Sequence, residues 1–128
     1  MPISFAYDPA THIVTSVAVG GVTPADSEIS HREVLRLRDK HPGMGLLVDM
    51  REAEVATDAV GVLAIMDAFF DLVGATVPVA FLNRDEADNP NPMLAETRAF
   101  IAGASMRSFT DAGEALAWLG PQVRKPSG

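Results

Sequence analysis

A chain of 128 residues without cysteine excludes disulfides, thiolate catalysis and cysteine-based metal sites together. A formal charge of −7, with no Lys/Arg cluster, lacks the basic footprint that nonspecific nucleic-acid binding needs and disfavours an anionic membrane surface. With 48% apolar residues, the chain has material for one core and too much hydrophobicity for global disorder.

The opening stretch alternates. Ile3, Phe5 and Tyr7 share one face of a strand, DPATH supplies turn residues, and IVTSVAVG is β-branched, so residues 3–7 and 12–19 predict a β-hairpin. GGVTPADSE then changes the period: Thr23 suits an N-cap, Pro24 the first helical position, and Asp26 completes a Thr-x-x-Asp box. That helix is expected to reach Lys40, with Ile29, Val34, Leu35 and Leu37 on its core side, and HPGMG ends it. LLVDM, short and apolar, predicts a central parallel strand followed by a polar loop.

The helix expected over residues 58–73 carries the strongest pattern. Leu63, Met66, Phe70 and Val73 form one stripe, and Val62, Ile65, Phe69 and Leu72 form a second beside it. At ~100° per residue the two cover roughly half the circumference, wider than the ~100° stripe a surface helix needs. Asp67 and Asp71 mark the wet edge, and Gly74 stops the helix. TVPVAFL is the next strand, with Pro78 counting against a fully central place in the sheet. NRDEADNPNP reads as a polar loop closed by Asn91 as cap and Pro92 at the first helical position. A helix to about Ala102 and the strand MRSFT follow. Asp111 and Glu114 make a second capping box for a last helix with Ala115, Leu116, Trp118 and Leu119 on its apolar side. Gly120-Pro121 stops it, and QVRKPSG reads as a solvated tail, which predicts one domain over 1–120 and a tail over 121–128.

The order β-β-α-β-α-β-α-β-α predicts an α/β fold, a mostly parallel sheet with an antiparallel N-terminal hairpin and helices packed on the sheet. The functional crevice is expected at the carboxyl ends of the strands, on the loops after Val19, Met50, Leu82 and Thr110. With VGGVTPAD before the first helix, LLVD in the middle strand and FTDAGEALAWL at the end, the chain resembles the STAS-like family over about residues 2–120. It is most similar to the branch grouped with anti-sigma-factor antagonists and with the lipid-binding CRAL-TRIO fold.

The resemblance implies a non-enzymatic regulatory or protein-interaction domain. In the family's antagonists the strand aspartate is followed by a loop ending in Asp-Ser-Ser-Gly, whose second serine a partner kinase phosphorylates. Aligned without gaps, Asp49 matches the strand aspartate and the motif falls on TDAV, so Ala59, which has no hydroxyl, stands at the switch position. A slip of one or two residues offers Thr57. The helix dipole favours phosphate there, whereas Glu52, Glu54 and Asp58 oppose it. Thr57 or Asp58 as a plain helix cap is the preferred reading.

Other chemistry is sparse. His12, His31 and His41 fall in different elements without metal-ligand spacing, and Asp85, Glu86 and Asp88 read as a solvated loop. No G-x-S-x-G elbow, G-x-G-x-x-G fingerprint or P-loop occurs, and no catalytic residue, metal or cofactor is expected. With no apolar run long enough to span a membrane and no signal-like N-terminus, a cytoplasmic protein is expected. Two functions remain open. The first is an interaction module that binds a protein partner or a second copy of itself through Glu54, Thr57 and Asp58 and the helix over 58–73. The second is a carrier or sensor for a small apolar or lipid-like molecule beside that helix, with Met66, Phe69 and Phe70 as contacts.

Overall fold

The computed structural model describes residues 2–84 and 91–124. β1 (Ile3–Asp8) and β2 (Ile13–Val22) pair antiparallel, from Ile3 opposite Ala18 to Asp8 opposite Ile13. Their turn ends on His12, whose backbone takes a left-handed φ of 58°. Three contacts hold it there. The His12 N–H donates to Asp8 O at 2.8 Å, Nε2 lies 2.8 Å from the Pro42 carbonyl, and Nδ1 lies 2.7 Å from the Tyr7 hydroxyl. A carbonyl only accepts, so Nε2 carries the proton and Nδ1 accepts from Tyr7.

α1 (Pro24–Lys40) starts as expected: Thr23 accepts from the Asp26 N–H, and the Asp26 carboxylate accepts in return from the Thr23 N–H. β3 (Gly45–Val55), α2 (Ala59–Val73), β4 (Val79–Leu82), α3 (Asn91–Ala102), β5 (Met106–Phe109) and α4 (Ala112–Leu119) follow. The sheet order is β1-β2-β3-β4-β5, with β2 through β5 parallel. Stepping from β2 to β5 in one direction through right-handed crossovers puts all three connecting helices on one face. That face holds the main core, where Val34 and Leu37 of α1, Phe69, Phe70 and Val73 of α2 and Ala95 and Ala99 of α3 pack on Val14, Leu46 and Val79. α4 connects no strands and covers the other face, with Ala115 and Leu119 on Ile13, Leu47, Ala80 and Leu82.

Several expectations change. β3 does not give way to a loop after Met50; REAEV continues the strand, and only Ala56, Thr57 and Asp58 connect it to α2. Pairing with the extended end of β2, from Val19 opposite Glu52 to Val22 opposite Val55, outweighs the polar look of the segment. β4 is central despite Pro78, because the proline lies just before the first paired residue and its carbonyl still accepts from Leu46 N at 2.9 Å. Ile29 and Leu116, assigned to apolar faces, are 47% and 43% exposed. Asp111 caps α4 by accepting from the Glu114 N–H at 2.9 Å. The chain stays on the fold past Gly120: a short 3-10 turn, Gly120–Gln122, leads to Val123, which packs against the core beneath α4, and Arg124 N–H donates to Gly43 O at 2.8 Å. A side chain at Gly43 (φ 82°) would run into the Arg124 carbonyl. Asp85, Glu86, Asp88 and the side chain of Asn91, and with it the expected cap of α3, lie outside the described residues.

A cleft between two helices and the strand ends

The candidate site begins with a bulge. Register runs evenly from Ile13 opposite Gly45 to Val17 opposite Asp49, then resumes with Val19 opposite Glu52. β2 spends one residue where β3 spends two, Met50 and Arg51. Before the bulge Leu46, Val48 and Met50 face the three helices; after it Ala53 and Val55 do. An unbroken alternation would instead turn Glu52 and Glu54 inward, because a one-residue shift moves every following side chain to the opposite face. Asp49 fixes the bulge from the α4 side, accepting from Arg51 Nε at 3.1 Å, Nη2 at 2.9 Å and the Arg51 N–H at 3.1 Å. These bonds hold the Asp49 carboxyl below its ordinary range against the opposing effect of partial burial.

At the carboxyl ends of β2, β3 and β4 the sheet and helices leave a cleft of about 370 Å³. It lies within the range typical of small-molecule sites, ~300–1,000 Å³. Its floor is Ser16, Ala18, Val48, Met50, Ala53 and Phe81; one wall is Val62, Ile65, Met66, Phe69 and Phe70 of α2; the other is Ser27, Ser30, His31 and Val34 of α1. Its origin is the size of the facing residues. Ser16, Ala18, Ala53, Ser27 and Ser30 are too small to fill the gap opposite the large α2 side chains, and interiors otherwise close-pack. Glu54 and Arg84, both exposed, stand at the rim, with half-buried Asn83 also lining the cleft.

His31 lies with its ring centroid 5.2 Å from that of Phe69. Burial pushes its imidazole below its ordinary pKa of 6.5, and the nearby Glu28 carboxylate only partly offsets this.

Among the expected site residues, Phe69 (6% exposed) and Phe70 (0%) are buried and Met66 is half-buried, and all three line the cleft with Glu54 at its edge. Thr57 and Asp58 do not line it. Asp58 caps α2, accepting from Gly61 N at 2.8 Å, and Thr57 packs over Gly61 so closely that a side chain there would collide with its hydroxyl. Ser16, Ser27, Ser30 and His31 were not foreseen as site residues. The available signal was the spacing of Ser27, Ser30 and His31 with Val34, which puts polar groups beside an apolar one on the inward row of a helix. Among the described residues no group of three or more His, Asp or Glu is placed to hold a metal, and no helix is long and apolar enough to cross a membrane.

Among solved structures, the chain is similar to an uncharacterised protein from the DUF3478 family of Shewanella loihica PV-4, described as having a SpoIIAA-like fold. The TM-score is 0.61 at 18% identity, with 91% of each chain covered. The fold is SpoIIAA-like. That makes this a STAS-like α/β domain in architecture, in line with the resemblance in the sequence. No family model and no curated protein matches the sequence.

Proposed function

We propose that this SpoIIAA-like domain is a non-enzymatic binding module whose ligand is a small, largely apolar molecule held between α1, α2 and the sheet. The observation that carries the reading is the cleft of about 370 Å³, with Val62, Ile65, Met66, Phe69 and Phe70 along one wall. Burying a ligand against such a wall gains roughly 25 cal/mol per Å² of apolar surface removed from water. The same burial argues against α2 as a flat docking face. Phe69 and Phe70 are covered within the single chain, so neither can anchor a partner protein without partial unfolding.

The test is a titration with phenylnaphthylamine, an uncharged fluorophore that brightens in apolar surroundings. The unaltered protein is expected to give saturable, one-to-one enhancement. Ala53→Leu, which fills the floor of the cleft, is expected to weaken it at least tenfold while the circular dichroism spectrum stays unchanged. Enhancement that Ala53→Leu leaves intact would refute the reading.

A second reading, a contact between two copies of the chain, is supported by a different surface. On α3, Met93, Phe100 and Ile101 are 75%, 85% and 70% exposed, lying at helical spacing on one face. This interaction reading thus moves from α2 to α3.

A further inference from the structure

This inference rests on the cleft reading above and concerns what the ligand must carry. The two helical walls differ chemically. α2 offers hydrocarbon, sulfur and aromatic rings, while β2 and α1 offer the hydroxyls of Ser16, Ser27 and Ser30 and the imidazole of His31. Ser16 is 4% exposed and Ser27 7%. Neither hydroxyl has a hydrogen-bond partner among the described residues, and neither oxygen is sealed from solvent-sized space. Ser16 opens on the cleft itself. Unbonded within the protein and open to the cleft, the Ser16 hydroxyl is free to bond whatever fills the cleft, water or the polar group of a ligand.

The charge pattern narrows the class. No fixed charge stands on the polar wall. Burial keeps His31 neutral near pH 7 by lowering its pKa, and among the described residues the charges that border the cleft, Glu54 and Arg84, are of opposite sign and sit at its rim. Serine hydroxyls and a neutral imidazole each donate and accept, which suits a hydroxyl or amide. A carboxylate would enter a desolvated wall that holds no fixed cation.

We propose that the cleft takes an uncharged amphipathic molecule bearing a hydroxyl or similar hydrogen-bonding group, with that group on Ser16 and His31 and its hydrocarbon body against Met66, Phe69 and Phe70. The polar wall thereby selects orientation and class, and the α2 wall supplies affinity.

Three probes with one ring system test this by calorimetric titration of the full chain at neutral pH: naphthalene, β-naphthol and β-naphthoate. The expected order is β-naphthol tightest, about fivefold or more over naphthalene as one hydrogen bond supplies, with β-naphthoate weakest. In Ser16→Ala the difference between β-naphthol and naphthalene is expected to collapse. Equal binding of β-naphthol and naphthalene by the unaltered chain, or tightest binding of β-naphthoate, would overturn the inference while leaving an apolar cleft in place. Failure of all three to bind saturably would remove the cleft reading itself. The probe order is read on the unaltered chain, so it decides the matter even if Ser16→Ala does not fold.

Discussion

At the scale of single residues, two local environments make firm predictions. Gly61 lies in the first turn of α2, where alanine would ordinarily favour the helix by about 1 kcal/mol. Here a Cβ would run into the Thr57 side chain, including its hydroxyl and methyl groups. Gly61→Ala is therefore expected to lower stability by about 1–2 kcal/mol in denaturant unfolding, a typical cost of overpacking. Thr57→Ala in the same chain should recover part of the loss. Stabilisation by Gly61→Ala would mean that Thr57 is not packed there. The same packing gives Thr57 a structural role, and phosphorylation would need that contact to open.

The histidines give the second residue-scale prediction. Burial lowers the pKa of His31 below 6.5, and desolvation, Lys40 and His12 lower that of His41, which stacks on Tyr7 with ring centroids 3.6 Å apart. Between the lowered folded values and 6.5 the unfolded chain binds more protons than the folded one, so stability falls as pH drops below 6.5. The contribution is fully present above 6.5 and gone below the folded values. Asp49, whose pKa is depressed by Arg51, adds stability that is present above its ordinary 3.8 and lost at lower pH. Thermal melts from about pH 8 to pH 3 should show a decline in two steps, and His31→Gln should shrink the first. A flat profile between about pH 8 and pH 5 would contradict this account of His31 and His41.

At the scale of elements, α3 holds the clearest unexplained surface. Phe100→Asp should leave the fold intact, because Phe100 is 85% exposed and the buried side of α3 is Ala95 and Ala99. If α3 joins two copies, sedimentation should show the unaltered chain as a dimer and Phe100→Asp as a monomer; a monomer in both would exclude that contact.

Element order, the hairpin, the α1 capping box and the two apolar stripes of α2 were legible in the sequence, because each rests on local periodicity or on a cap a few residues long. The extent of β3 was not. REAEV looks like loop on its own, and only the bulge at Met50 and Arg51, with β2 alongside, makes it strand. The cleft was half legible. Its apolar wall follows from the stripes of α2, which are wider than one sheet face covers. Its polar wall depends on which small residues meet across three elements, and no single segment encodes that. Leu116 and Ile29 were placed inward by pattern alone and turn out exposed, since neighbouring positions Ala115, Leu119 and Ser27 take the buried places.

For the whole molecule, a five-stranded sheet has helices on both faces and a concave site at the strand ends, between α1 and α2. At the opposite end His12 bonds Tyr7 and the Pro42 carbonyl, His41 stacks on Tyr7, and Arg124 N–H donates to Gly43 O, tying the hairpin, the end of α1 and the chain after α4 to the sheet. The proposed binding cleft thus lies at the carboxyl ends of the parallel strands, where the geometry of open α/β sheets favours a site. The most direct measurement is a set of intermolecular nuclear Overhauser effects between the ring protons of bound naphthalene and the side-chain methyl groups of the protein. The account predicts contacts to Val62, Ile65 and Met66 on α2. Contacts confined to Met93 and Ile101 on α3 would contradict it, placing apolar recognition on the outer face of the domain.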